Sequence, residues 1–298
     1  MEMNRKQILQ KFETLEQWKS GDERAPHKPL LVLYAIGKLL RGDERLISYT
    51  DDIEENLENL LREFGPRRDR YNPHFPFWRL QNDGIWEVSD ANRIRLTDSG
   101  DAYITDLRNY NASGGFNETI SEQLQNDSEL TFEIIQSLLD AHFPPSLHED
   151  ILQAVDIELP LQAFDTKTRT SNFRKNVLRA YEYKCAVCGF DVKLGDSPIA
   201  LDACHIKWQK AGGPDEAVNG LALCVMHHKL FDRGAYTLSK RLEILVSDDA
   251  HGTKGFQEWL MDFHRQKINF PQRQTYYPDA DFINWHVREV FQGDYREL

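Results

Sequence analysis

Cys185-Ala186-Val187-Cys188, Leu201-Asp202-Ala203-Cys204-His205-Ile206, Asn219-Gly220-Leu221-Ala222-Leu223-Cys224 and His227-His228-Lys229-Leu230-Phe231-Asp232 follow one another in the segment 185–232. All four cysteines of the chain lie there. Two pairs, Cys185 with Cys188 and Cys224 with His227, share a two-residue gap, and thiolate and imidazole are the donors zinc prefers in a tetrahedral site. Four protein donors leave no open position, so the spacing predicts a structural zinc. Cysteines clustered in a chain without a secretion signal favour metal over disulfides. Cys204 ends a strand expected over 198–204 and competes for a place in the quartet.

The 298 residues, 40% hydrophobic and 28% charged, fit a soluble globular chain of roughly two domains. No run approaches the ~18–20 apolar residues of a membrane helix. Met1-Glu2-Met3-Asn4-Arg5-Lys6 lacks the apolar stretch of a signal peptide, so a cytoplasmic location and no membrane partner are expected. A net charge of -12, taken alone, argues against a nucleic-acid partner, because Lys and Arg carry phosphate binding. The charge is uneven, however. Residues 110–159 hold ten Asp or Glu and no Lys or Arg, whereas 160–240 hold 12 Lys or Arg against 8 Asp or Glu. The acidic stretch is expected as a solvated or interacting face that DNA avoids.

Ile8, Leu9, Phe12, Leu15 and Trp18 fall at helical spacing, and Ser20-Gly21-Asp22 ends that run. The apolar run after Pro29 predicts a buried core helix, and residues 50–64 an amphipathic one that stops at Gly65-Pro66. Phe77-Trp78-Arg79-Leu80-Gln81 and Ile85-Trp86-Glu87-Val88, joined by Asn82-Asp83-Gly84, predict a hairpin. Residues 110–159 read as a helical connector, with helices near 131–142 and 147–157. A basic helix over 168–183 and a closing helix over 281–291 complete the pass. The fold class expected is α+β.

Residues 185–234 resemble the HNH endonucleases, the ββα-metal fold, of the kind found in modification-dependent restriction enzymes. The knuckle, the Cys-His strand end, the Gly212-Gly213-Pro214-Asp215 loop, Asn219 and the Cys-x2-His-His helix occur in the family's order. The resemblance implies His205 as general base, Asn219 in the middle position and His228 in the third. Hydrolysis of a phosphodiester needs an activated water, and a neutral imidazole accepts its proton at cytoplasmic pH. It also needs a cation for the developing charge, here Mg2+ or Mn2+. One departure matters: many members place Asp directly before the base histidine as a metal ligand, and here that residue is Cys204. Asp202, on the same strand face, is taken as the substitute ligand beside His228. Asp232 is read as a cap or an ion-pair partner of Arg233.

Residues 25–88 resemble the sulfur-binding domain of phosphorothioation-dependent, McrA-like type IV restriction endonucleases. Ala25-Pro26-His27-Lys28-Pro29-Leu30-Leu31 and Phe75-Pro76-Phe77-Trp78-Arg79-Leu80 carry the likeness. It implies an apolar cavity of Phe75 and Pro76 for the sulfur, contacts from His27 and Lys28 to phosphate or base, and Arg79 beside the cavity. Phe75 stands where members often have Tyr, and Arg79 where a small residue lines the cavity. Arg67, Arg68 and Arg70 are assigned to phosphate contacts.

These readings give a reader domain over 1–110, an acidic helical connector over 111–160 and an HNH domain over 161–298. The partner expected is double-stranded phosphorothioated DNA. One HNH site cuts one strand, so a homodimer is expected, with the connector as its interface. Two alternatives stay open: a reader of a modified base such as methylcytosine, with Trp78 or Trp86 stacking on the flipped base, and a zinc-containing DNA-binding module without turnover.

Overall fold

The computed structural model describes residues 4–15, 23–158 and 172–297. Trp18, Ser20-Gly21-Asp22 and the first residues of the helix expected over 168–183 lie outside them. The chain divides into two compact units, Met1–Pro160 and Leu161–Leu298.

In the first unit, α1 (Arg5–Glu13) starts at a capping box in which Asn4 and Gln7 satisfy each other's backbone N–H. The expected core helix is α2 (His27–Leu40), where Leu30, Leu31, Val32, Leu33 and Ile36 are fully buried. Pro29 lies inside its first turn, where the N–H that proline lacks has no intrahelical acceptor. Then come β1 (Ile47–Ser48), α3 (Glu54–Phe64), α4 (His74–Arg79), β2 (Trp86–Val88), α5 (Ile104–Asn109) and β3 (Ser113–Phe116). The three strands form an antiparallel sheet in the order β1-β3-β2.

The hairpin expected over 77–88 does not form; its first arm is helical. Pro76 occupies the first turn of α4, where it costs no hydrogen bond, and Phe77 and Leu80 fall on one helical face and are fully buried. Gly84 has the positive φ that the Asp-Gly pair signals, 66°, but uses it to end a 3-10 turn over Leu80–Asp83. Phe77 packs with Tyr49 and Trp86, and Trp86 with Phe116, which joins α4 to the sheet.

The acidic stretch is not a connector standing apart. Helices α6 (Glu118–Asn126), α7 (Ser128–His142) and α8 (Pro145–Ala154) pack within the first unit. Leu130, Ile134, Ile135, Leu138, Leu139 and Phe143 are at most 1% exposed, so these apolar side chains form core and are not available as a dimer interface. Arg5 of α1 bridges Asp127, Glu129 and Glu133, which offsets part of the acidic charge locally.

The second unit holds α9 (Asn172–Ala180), the short hairpin β4 (Lys193–Leu194) and β5 (Ser197–Pro198), and the antiparallel pair β6 (Leu201–His205) and β7 (Gly220–Cys224). Helix α10 (Val225–Asp232) follows β7 directly. Beyond it lie β8 (Tyr236–Leu238), β9 (Ile244–Val246), α11 (Lys254–Trp259) and α12 (Ala280–Glu289), the expected closing helix, in which Trp285 is buried. The strand expected from Pro198 starts only at Leu201, because Ala200 takes a left-handed φ of 52°. The β6–β7–α10 unit is the ββα arrangement.

Candidate active site and candidate DNA-reading pocket

The knuckle turns at Gly189, whose φ of 73° lets its N–H reach the Cys185 carbonyl at 2.9 Å. This turns Cys185 and Cys188 towards Cys224, at the end of β7, and His227, in the first turn of α10. The donor atoms of all four lie within 4.8 Å of one another. His227 Nδ1 is 3.2 Å from Cys224 Sγ and 3.8 Å from Cys185 Sγ, and the Cys188 and Cys224 sulfurs are 4.0 Å apart. Bond lengths of about 2.3 Å to sulfur and 2.0 Å to nitrogen give tetrahedral edges of about 3.5–3.8 Å, so the set fits zinc. His227 Nε2 lies 2.9 Å from the Trp259 carbonyl; donating its hydrogen there leaves Nδ1 as the lone-pair donor. Cys204 stands outside this quartet.

His205 ends β6 opposite Gly220 of β7. Its ring stacks on Phe173 of α9, with centroids 3.8 Å apart and planes at 8°, and its Nε2 lies 2.9 Å from Asp215 Oδ1. Burial holds its pKa below the ordinary value, against the opposing pull of Asp215, so the ring is neutral at neutral pH. Asn219 is fully buried. Its Oδ1 accepts from the Lys207 N–H at 2.8 Å, and its Nδ2 donates to the Lys207 and Pro214 carbonyls at 3.0 Å each. Asn219 thus pins the loop that carries Asp215.

Gly220 keeps His205 in place indirectly. A Cβ there would stand 2.4 Å from Val177 Cγ2 and 3.1 Å from the Phe173 ring, the ring on which His205 stacks. Gly220→Ala is expected to lower kcat about 100-fold, the scale of a 1 Å misplacement, while zinc content and DNA affinity stay unchanged. Parallel measurement of cleavage rate, zinc per chain and DNA binding checks this.

Helix α10 presents His227 to the quartet and, one residue on, His228 towards β6. His228 and Asp232, four residues apart, share a helical face. His228 Nε2 is 3.1 Å from Asp232 Oδ2, and Cys204 Sγ is 3.8 Å from Asp232 Oδ1. The ligand atoms of Cys204, His228 and Asp232 lie within 4.8 Å of one another. Asp202 is not among them: its carboxylate is 47% exposed and 3.6 Å from Arg174. The acidic partner of His228 therefore comes from α10, not from β6, and the reading of Asp232 as a cap or a partner of Arg233 missed this.

In the first unit, His27, Lys28, Arg68, Phe75, Pro76 and Arg79 line one cavity of about 570 Å³, together with Arg24 and Asn82 among others. Residues from α2, the loop after α3 and α4 meet there. Arg67 and Arg70 are exposed and do not line it. Arg79 is held bidentately by Asp101, at 2.6 and 2.7 Å, with its guanidinium 4.7 Å from the Phe75 ring centre. Lys28 Nζ lies 2.5 Å from Asp83 in a buried pair, so its charge is already compensated. Burial and the nearby Arg68 lower the His27 pKa to about 4, which leaves a neutral imidazole. Trp86 is a core residue at 3% exposure and offers no stacking face to a flipped base.

Asp215, Phe173, Asp101 and Arg24 were not singled out as functional from sequence. Only Asp215 left a sequence signal, a carboxylate closing the Gly-Gly-Pro loop ten residues after the candidate base.

Comparison with known proteins supplies the class. A family described as ScoMcrA-like, DNA sulfur-binding domain, matches residues 5–159, and one described as HNH endonuclease matches residues 185–239. The first covers more than half the chain, which belongs to this ScoMcrA-like DNA sulfur-binding family. Its second unit carries an HNH endonuclease domain, and the protein is a nuclease. Among solved structures, the sulfur binding domain of ScoMcrA complexed with phosphorothioated DNA is 22% identical with a TM-score of 0.44, over 50% of this chain and 97% of that one. The type IV phosphorothioation-dependent restriction endonuclease ScoMcrA is 21% identical with a TM-score of 0.41, over 51% of this chain and 35% of that one. A modification dependent restriction endonuclease, TagI, is 25% identical with a TM-score of 0.29, over 45% of this chain and 41% of that one. No curated protein matches the chain.

Proposed function

We propose that the protein is a type IV restriction endonuclease that reads phosphorothioated double-stranded DNA with its first unit and cuts it with its second. The observation that carries this reading is the cavity in which Phe75, Pro76, His27 and Arg68 converge, in a chain that also holds an HNH domain. Sulfur is larger and less strongly hydrated than oxygen. An apolar wall of Phe75 and Pro76 therefore penalises an ordinary phosphate more than a phosphorothioate, and the difference is the specificity. Arg68 supplies positive charge at the cavity, Arg79 is held against the Phe75 ring by Asp101, which compensates its charge, and the neutral His27 supplies a ring N–H or lone pair.

In the second unit, neutral His205 takes the proton of the attacking water at Nδ1, while Asp215 holds Nε2 and steadies the imidazolium that forms. Asn219 keeps the Asp215 loop in register. His228 would help hold a divalent cation, which when bound would supply charge compensation for the transition state and leaving oxygen. Zinc in the Cys185, Cys188, Cys224 and His227 quartet is structural. One active site cuts one strand, so a double-strand break implies a homodimer, acting in the cytoplasm.

Cleavage of matched plain and phosphorothioated duplexes tests the reading; equal cutting of both would sink it. Pro76→Ala removes about two ring carbons from the cavity wall. At ~0.8 kcal/mol each, it is expected to reduce sulfur-over-oxygen discrimination about tenfold, measured as the ratio of binding constants.

A further inference from the structure

We propose that Cys204, His228 and Asp232 form a second metal site that takes a borderline-soft divalent ion, such as Zn2+ or Co2+, in preference to Mg2+. This rests on the nuclease reading only for the role of the ion, not for its binding.

The donors come from two elements whose relation is fixed. The register Leu201↔Cys224 ties β6 to the strand that runs straight into α10, so the side chain of Cys204 meets the α10 face carrying His228 and Asp232. The nitrogen-to-oxygen spacing of 3.1 Å and the sulfur-to-oxygen spacing of 3.8 Å are close to the ~3.3–3.7 Å edges of a tetrahedral site with one sulfur, one nitrogen and one oxygen donor. Cys204 is fully buried and Asp232 is 3% exposed, whereas the His228 side chain is 21% exposed and gives the cluster its solvent side. Three protein donors are the number that catalytic sites use, the remaining position being left for water or substrate.

The donor set decides the class of ion. Mg2+ demands octahedral oxygen donors at about 2.0–2.1 Å and holds its waters, whereas a thiolate with an imidazole selects Zn2+ and its neighbours in softness. The Mg2+ or Mn2+ implied by the family resemblance assumes a carboxylate where this chain has Cys204.

The full chain, with its Cys185 quartet loaded with one zinc, is titrated with Co2+. The expected result is one further ion per chain, with a thiolate-to-cobalt charge-transfer band that survives a hundredfold excess of Mg2+. Cys204→Ser is expected to abolish that band while zinc stays at one per chain, and Asp232→Asn to weaken Co2+ binding at least tenfold. Absence of a second equivalent in the wild-type chain, binding without the band, or a band that persists in Cys204→Ser would each overturn the proposal; the wild-type spectrum decides even if a variant fails to fold. Cleavage supported by Mg2+ in a chain without the band would refute this inference and leave the nuclease reading standing. A band in a chain that cuts no DNA with any metal would do the reverse.

Discussion

Replacing His205 by alanine is expected to slow cleavage of phosphorothioated DNA by about two to four orders of magnitude, the usual contribution of a general base, with DNA affinity unchanged. Three observations converge on this residue. Phe173 stacked at 3.8 Å fixes its ring plane, and Asp215 at 2.9 Å takes the hydrogen of Nε2, which leaves the lone pair on Nδ1. Burial keeps it neutral, the form that accepts a proton. The side chain is 23% exposed, so truncation removes a ring from the surface of the core and not from its centre. Single-turnover cleavage and a parallel binding curve distinguish loss of chemistry from loss of affinity. A variant cutting at more than a tenth of the wild-type rate would remove His205 from the role.

Replacing Cys185 by serine is expected to unfold the second unit and leave the first folded. The knuckle is tied to the sheet, since the Ala186 N–H donates to the Ala222 carbonyl at 2.7 Å and Cys185 and Ala186 are fully buried in the unit's core. Structural zinc in small sites is worth on the order of 10 kcal/mol, comparable to the whole stability of a domain. Losing one of four donors forfeits much of that contribution, because zinc then lacks a closed tetrahedral set. Calorimetry with zinc analysis is the check: the variant keeps the transition of the first unit, loses that of the second and carries no zinc. Retention of one zinc per chain with both transitions intact would refute the structural role. Chelation at neutral pH is expected to reproduce the variant.

Much of the second unit was legible because its information is local. Cys185 and Cys188 share one turn, and Cys224 and His227 one helix start, so two-residue gaps suffice to identify them as ligand pairs. His205, Asn219 and His228 follow the order of a known motif, but their environments are long-range. Asn219 proves to be a loop clamp because Lys207 and Pro214 come back to it. Asp232 rather than Asp202 approaches Cys204, because the exposed Asp202 is drawn to Arg174.

The first unit was less legible for a related reason. Phe77-Trp78-Arg79-Leu80-Gln81 alternates well enough for a strand, and Asp83-Gly84 is a turn signal in either a hairpin or a helix end. Burial of Phe77 and Leu80 against Tyr49 and the sheet decides for the helix. The acidic segment has a connector's charge but a core's apolar residues, and only packing against the rest of the unit shows that the latter govern.

By itself the sequence determined the donor types and their ligand spacing, the α+β class and the two segments that line the cavity of the first unit. It did so because helical and strand periods and ligand gaps are properties of neighbouring residues. The tertiary structure alone decided that His27, Arg68 and Pro76 line one cavity, that Asp215 holds His205, and that Cys204 faces His228 and Asp232. Those juxtapositions join residues up to about fifty positions apart, and only the free energy of burying the surfaces between them brings such residues together.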